Sequence, residues 1–115
     1  MQDVFQNTGN CNNPDLNLWD TSKVTIMKNM FAGSEFNGDI SAWDVSSVGN
    51  FYGTFYNSQF NGDISSWVVS SGTEFSYIFA WNLVFNHDIS PWDVRVERVH
   101  DVVSTVLTWA SFHLL

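Results

Sequence analysis

Aspartates recur at fixed intervals along the chain, and they are the residues whose type and spacing best suit chemistry. Two series hold seven of the twelve acids, at Asp15, Asp39, Asp63 and Asp88 and at Asp20, Asp44 and Asp93. In the first series an asparagine precedes the aspartate by two residues, at Asn37, Asn61 and Asn86. Carboxylate and amide oxygens are the ligands that Ca²⁺ prefers. One hypothesis is therefore a calcium ladder formed by Asp39, Asp63 and Asp88.

The same aspartates have a simpler structural interpretation. An aspartate side chain often accepts a hydrogen bond from a backbone N–H of its own turn, as an Asx-turn or a helix N-cap. A metal site is normally unique in a chain, whereas a position present in every repeat is usually one that the repeat needs in order to form. We favour this turn interpretation, and we predict no cofactor and no metal.

Pairs of carboxylates also raise the possibility of glycoside hydrolysis, which needs two of them about 5 to 9.5 Å apart. No pair of acids stands outside the repeated positions. The histidines, His87, His100 and His113, lie in no nucleophile motif. We therefore predict that the protein is not an enzyme, and an enzyme acting on polysaccharide is the least favoured alternative.

A repeat of 24 to 25 residues positions these side chains. Trp19, Trp43 and Trp67 are 24 residues apart, and Trp92 follows after 25. Three copies of the frame around tryptophan read FNGDISAWDVSSV, FNGDISSWVVSSG and FNHDISPWDVRVE. The segments between them also recur, as VTIMKNMFAGSEF, VGNFYGTFYNSQF and GTEFSYIFAWNLVF. A period of this length is typical of solenoids whose units each give one strand and a short helical return.

We predict a leucine-rich-repeat-like solenoid over residues 1–94, of about four coils, with one short parallel strand and a short helical turn in each coil. The strand is expected in the Asp-Ile-Ser-x-Trp stretch. The helical turn is expected at Val24, Met27, Met30 and Phe31, which are spaced as one side of a helix. The residues expected to build every coil are Phe36, Asp39, Ile40, Trp43, Phe60, Asp63, Ile64, Trp67, Phe85, Asp88, Ile89 and Trp92.

The residues after Val94 leave the repeated frame. Steps of three and four separate Val96, Val99, Val103, Val106 and Ala110, which is helical spacing. We predict that residues 95–115 form a C-terminal cap, with a helix from about residue 95 to 110. A strand remains the alternative because valine is a modest helix former. Since the chain starts in mid-unit, we expect a fragment of a longer repeat array.

Composition excludes several classes of protein. Twelve acids against four bases give a formal net charge of −8, which argues against nucleic-acid binding. Hydrophobic residues make up 44% of the chain and aromatic residues 17%, which is enough for a core. No apolar stretch is long enough to span a bilayer, and the first residues lack the pattern of a signal peptide. A single cysteine, Cys11, excludes an intrachain disulfide.

The pattern Phe-Asn-x-Asp-Ile-Ser-x-Trp-Asp, met at residues 36–44, 60–67 and 85–93, resembles the repeat of BspA-like leucine-rich-repeat surface proteins. The closest resemblance is to the subgroup with the mycoplasma-type lipoprotein repeat of unknown function, over roughly residues 1–94. It implies a solenoid at the cell surface or outside the cell that acts by adhesion. The sequence departs from the pattern at Thr54, Val68 and Gly72, so we expect the third coil to be looser.

Within residues 1–94, four aromatic residues lie outside the repeated aromatic positions, and they are our candidates for a binding surface: Tyr52, Tyr56, Tyr77 and Trp81. Amphipathic aromatic side chains provide contact area while tolerating water. We predict a non-catalytic binding or adhesion module whose partner is an extracellular protein or glycan. A structural spacer repeat without its own ligand is the alternative, followed by a calcium-stabilised solenoid.

Overall fold

The computed structural model describes residues 1–9 and 12–94. These residues contain one 3₁₀ helix, Pro14–Leu18, and neither an α-helix nor a β-strand. Two isolated parallel bridges join Ile26 to Asn50 and Asn50 to Glu74. The chain is compact, with a radius of gyration of 12.6 Å. The predicted leucine-rich-repeat-like solenoid, with a strand and a helical turn in every coil, is therefore wrong.

The stretch predicted as a strand is a turn. The Asp39 carboxylate accepts the N–H of Ser41 at 2.9 Å, and the Trp43 N–H donates to the Ile40 carbonyl at 3.2 Å. The copy 24 residues further on makes the same two hydrogen bonds. These local bonds use the amides that a strand would offer to its neighbours, so the chain curls at each copy.

The segments predicted as helical turns alternate between two kinds of hydrogen bond. In residues 29–34, alternate amides donate three residues back within the segment, and the others donate to carbonyls of the next repeat. The bonds to the next repeat run from Met27 to Asn50, Asn29 to Tyr52, Phe31 to Thr54 and Gly33 to Tyr56, at 2.8 to 2.9 Å. Positive φ angles at Asn29 (54°) and Gly33 (68°) interrupt the right-handed helix.

Aromatic rings from successive repeats stack to form the core. One column contains Phe5, Phe31, Phe55 and Phe79, with neighbouring ring centroids 5.2 to 5.7 Å apart. A second column contains Phe36, Phe60 and Phe85 at 6.0 and 6.4 Å. The two columns touch within each repeat, at 4.3 to 4.5 Å. The rings of both columns, apart from the partly buried Phe5, are fully shielded from solvent.

Buried indole groups join each repeat to the one before it. The Trp43 Nε1–H donates to the Leu16 carbonyl at 2.6 Å, and that of Trp67 donates to the Ile40 carbonyl at 3.1 Å. The indole of the following copy makes the equivalent bond at 2.9 Å. A buried N–H without an acceptor would cost about 1–3 kcal/mol, so these bonds let a bulky polar ring enter the core.

Two of the three departures from the repeat pattern are compensated by packing. Thr54 is equivalent to Met30 of the preceding copy, and both side chains are buried. The Thr54 hydroxyl donates to the Phe51 carbonyl at 2.8 Å. A side chain at Gly72 would collide with the Phe75 ring, which fills the space left by the missing valine. Only Val68 has no compensation, because its side chain is 58% exposed.

The predicted cap at residues 95–115, with its helix over about residues 95 to 110, lies outside the described residues, as does Cys11.

Candidate functional site

Three of the four aromatic candidates meet in one groove. The groove has a volume of about 330 Å³, and its lining residues are Gln6, Asn29, Ala32, Tyr52, Gly53, Tyr56 and Tyr77. They come from four equivalent stretches, residues 1–8, 27–34, 51–58 and 75–82, which we call the linking segments. The groove therefore runs across four successive repeats. We refer to it as the tyrosine groove.

Differences between equivalent positions create the concave shape. Gln6, Ala32 and Tyr56 occupy one position of the linking segment, while Asn29 and Gly53 share another with Tyr77. Small side chains in one segment thus lie beside large ones in the next. At Gly53 a side chain would meet the Asn29 amide oxygen, so any larger residue here would have to displace the Asn29 side chain.

The tyrosine rings are held in defined relation to each other. Tyr52 and Tyr77 make an edge-to-face contact, with ring centroids 5.6 Å apart and an interplanar angle of 67°. The ammonium group of Lys28 lies 5.5 Å from the centre of the Tyr52 ring, within the range of a cation–π interaction. Tyr56 and Tyr77 are 38% and 52% exposed, so both rings present surface to a ligand.

Polar groups in the tyrosine groove are unused by the fold. Among the described residues, the phenol hydroxyls of Tyr52, Tyr56 and Tyr77 make no hydrogen bond with another protein group, and neither do the side-chain amides of Gln6 and Asn29. Each of these groups can both donate and accept. Five such groups therefore belong to residues that line one groove, and none has a partner within the described part of the chain.

Tyr77 and Trp81 adopt a backbone conformation that bulky residues rarely adopt. Both have a φ of 59°, in the left-handed region. The equivalent positions in the other linking segments also have positive φ, but their residues are glycine, asparagine or aspartate, which tolerate it: Asp3, Asn7, Asn29, Gly33, Gly53 and Asn57. Exposure of 52% and 66% shows that burial does not compensate for the strain. Strain of this kind is concentrated at functional sites.

Trp81 lies outside the residues that line the tyrosine groove. It stands in the loop that accommodates the extra residue of the fourth repeat, beside Leu83 and Val84, which are 69% and 40% exposed. The structure therefore brings together Tyr52, Tyr56 and Tyr77 and leaves the fourth candidate apart.

Most of the repeated aspartates form Asx-turns. The carboxylates of Asp39, Asp63 and Asp88 each accept the N–H of the residue two positions on, at 2.8 to 3.0 Å. Asp20 and Asp44 accept both the N–H and the hydroxyl of the serine two positions on. Among the described residues, no group of three or more His, Cys, Asp or Glu side chains is arranged to hold a metal ion.

Hydrogen bonding also changes the acidity of these carboxyl groups. The N–H of Ser41, followed by its hydroxyl, lowers the pKa of Asp39 below its ordinary value of 3.8. The N–H and hydroxyl of Ser65 lower the pKa of Asp63 in the same way. The aspartates are therefore anchored as carboxylates in their own turns.

A second groove, polar and about 480 Å³ in volume, runs past these turns, lined by Asn37, Gly38, Asp39, Ser41, Asn61, Gly62, Asp63, Ser65 and Ser66. Its asparagine oxygens are engaged between repeats. Asn37 accepts the N–H of Asn61 at 2.7 Å, and Asn61 accepts that of Asn86 at 2.9 Å. The asparagines considered as calcium ligands thus form a ladder that joins the repeats.

Sequence reasoning missed Gln6, Asn29, Ala32 and Gly53 as parts of a site. The signal lies in the comparison of the linking segments, where one position changes from glutamine to alanine to tyrosine and another from asparagine to glycine to tyrosine. Where the residue type varies within an otherwise regular repeat, the fold does not require one particular side chain, so such positions are candidates for a binding surface.

Stacked aromatic columns, ladders between repeats and one aromatic groove define a repeat protein with a candidate ligand-binding face. Residues 1–113 match the family described as "Mycoplasma protein of unknown function, DUF285". The chain belongs to that family. Comparison with curated proteins and with solved structures gave no match. None of the helical structure in the described residues is long and apolar enough to cross a membrane.

Proposed function

We propose that the protein is a non-catalytic binding module whose ligand occupies the tyrosine groove. The observation that carries this proposal is the convergence of Tyr52, Tyr56 and Tyr77 in one groove, where their hydroxyls have no hydrogen-bond partner among residues 1–9 and 12–94. Tyrosine suits such a role because it gives a large, rigid contact area at low conformational entropy cost, together with a polar end.

The chemistry of the lining supports binding without catalysis. Its residues are three tyrosines, two amide side chains, an alanine and a glycine. Apart from tyrosine, general acid–base and nucleophilic catalysis near neutral pH usually employ histidine, carboxylate, cysteine, serine or lysine side chains. The seven lining residues include none of these types.

A position at the cell surface is the second part of the proposal. It is supported by the resemblance of the Phe-Asn-x-Asp-Ile-Ser-x-Trp pattern to BspA-like leucine-rich-repeat surface proteins and by the match to a mycoplasma family. An extracellular protein or glycan is then the expected class of partner, and the tyrosine groove provides its contact surface.

A binding screen tests this function. The 115-residue chain would be applied to immobilised extracellular-matrix proteins and glycans, next to Tyr77→Asn and Trp81→Asn. Both substitutions relieve backbone strain, but only Tyr77 lines the groove. We expect a ligand that the parent and Trp81→Asn retain equally and that Tyr77→Asn loses. A ligand held equally by all three proteins would place binding elsewhere.

A structural spacer is the second candidate, and the ladders that join every repeat to its neighbours favour it. Hydrogen bonds of the asparagine side chains, the indole groups and the linking-segment amides all act between repeats. A spacer needs only this regular association. A screen in which neither a protein nor a glycan binds the parent chain would support the spacer and contradict the binding module.

A further inference from the structure

We infer that the ligand of the tyrosine groove is a neutral oligosaccharide. This inference rests on the proposed binding function of the same groove and specifies the chemistry of its ligand. It follows from the charge, the polar groups and the ring surfaces of the lining residues, taken in turn.

The charges around the groove disfavour an ionic ligand. Its lining residues include no Asp, Glu, Lys, Arg or His. The whole chain carries a formal net charge of −8, which repels an anionic glycan or an acidic peptide. A cationic ligand would suit tyrosine rings, but Lys28 already lies 5.5 Å from the centre of the Tyr52 ring and opposes a second positive charge there. A neutral ligand meets neither penalty.

The polar groups of the groove match a ligand with many hydroxyls. The three phenol hydroxyls and the two amides of Gln6 and Asn29 both donate and accept hydrogen bonds, and a sugar hydroxyl does the same. A purely apolar side chain placed here would bury these groups without satisfying their hydrogen bonds, which is unfavourable. A polyhydroxylated ring leaves fewer of them unsatisfied.

The ring surfaces and the dimensions favour a sugar chain. The exposed rings of Tyr56 and Tyr77 leave aromatic surface for the apolar C–H groups of a pyranose ring. A volume of about 330 Å³ lies at the lower end of small-ligand sites, which run from about 300 to 1,000 Å³. Because the groove crosses four linking segments, a chain of sugars can continue beyond its centre.

Titration with soluble saccharides tests the inference. The parent chain would be titrated with the neutral saccharides maltotriose, cellotriose and triacetylchitotriose and with two charged saccharides, sialyllactose and a heparin oligosaccharide, and NMR chemical-shift changes would report binding. We expect a neutral trisaccharide to bind. Its affinity should fall by about tenfold or more in Tyr77→Asn and stay unchanged in Trp81→Asn. Tyr56→Phe, which keeps the ring and removes one hydroxyl, should weaken binding about three- to tenfold.

Other results would separate the failure of this inference from the failure of the proposed function. Binding of the charged saccharides alone would overturn the inference. An extracellular protein that binds through Tyr77, with no saccharide bound, would overturn the inference and leave the binding function standing. Binding of a neutral saccharide with equal affinity to Tyr77→Asn would overturn the assignment to this groove. Absence of binding to both the saccharides and the extracellular proteins would overturn both proposals.

Discussion

At the scale of single residues, Tyr77 and Trp81 place large exposed side chains on left-handed backbone. Asparagine occupies this conformation at equivalent positions, at Asn29 and Asn57. We predict that Trp81→Asn raises the free energy of unfolding by about 1 kcal/mol, because asparagine tolerates positive φ. Tyr77→Asn should gain less, since it loses the ring contact with Tyr52. Urea unfolding measures both changes, and a loss of stability in Trp81→Asn would contradict the strain argument.

Val68 stands where the preceding copy has the Asx-turn residue Asp44, and packing does not compensate for this departure from the repeat pattern. The equivalent Asp44 accepts the N–H and hydroxyl of Ser46 at 3.0 and 2.6 Å. We predict that Val68→Asp restores these bonds and stabilises the protein by about 0.5–2 kcal/mol, as other side-chain caps do. Thermal unfolding measures the gain.

Two variants at the same position control for the loss of an exposed valine and for charge. Val68→Ala removes the apolar side chain without adding an acceptor and should show no such gain. Val68→Asn adds the acceptor without the charge and should match or exceed Val68→Asp. If Val68→Asp were no more stable than Val68→Ala, the turn hydrogen bonds would have no stabilising role.

The lowered pKa of Asp63 predicts how stability depends on pH. The N–H and hydroxyl of Ser65 favour its ionised form in the folded protein. The stabilisation that Asp63 contributes is therefore fully present above its pKa in the unfolded chain, about 3.9. It is lost as the pH falls through the lower pKa that Asp63 has in the folded protein. We expect the stability difference between the parent and Asp63→Asn to be constant near neutral pH and to change below about pH 4. A difference independent of pH down to strong acid would contradict this linkage.

At the scale of the elements, the buried indole of Trp67 connects two repeats through the Ile40 carbonyl. Trp67→Phe keeps an aromatic ring and removes the hydrogen bond, so it should destabilise the protein by about 1–3 kcal/mol. Trp19→Phe is the matched control, because Trp19 is 44% exposed. Urea unfolding of the two variants compares them directly. Equal losses would contradict a stabilising role for the indole hydrogen bond.

The period of the repeat could be predicted from sequence, but the conformation of its elements could not. Phe36, Ile40 and Trp43 are spaced by four and three residues, which differs from the alternation of a half-buried strand and agrees with the turn that the structure has. In the linking segment, the spacing of Met27, Met30 and Phe31 suits a helix. This spacing could not reveal that alternate amides donate to carbonyls of the next repeat, because those hydrogen bonds depend on how the neighbouring repeat packs.

Prediction of the candidate site had a similar limit. Tyr52, Tyr56 and Tyr77 could be selected because they interrupt the regular pattern, whereas Trp81 satisfied the same criterion and lies outside the groove. Gln6 was not selected, because its place in the groove depends on how the first linking segment packs beside the others. Sequence can therefore identify irregular positions, but only packing shows which of them meet.

At the scale of the whole molecule, stability should be greatest in the middle repeats. The amide of Phe55 donates to the Ile78 carbonyl at 2.9 Å and that of Phe5 donates to the Met30 carbonyl at 2.8 Å, so the two bonds are alike. Phe55 has stacked rings on both sides, from Phe31 and Phe79. We expect its amide to exchange with solvent more slowly than that of Phe5, as hydrogen-exchange NMR can measure. Equal rates would indicate that the described repeats open together as one cooperative unit.

The hydrogen bonds between neighbouring repeats also have a consequence for folding kinetics. The side-chain bonds that join repeats in the described part of the chain connect residues 22 to 28 positions apart. The entropic cost of closing a loop depends on the length of the loop. Because each new repeat closes a loop of nearly the same length, it has nearly the same entropic cost as the repeat before it. Once one pair of repeats has formed, the next can add by a closure of the same kind. The rate of folding should then depend mainly on the first closure and little on the number of repeats that follow.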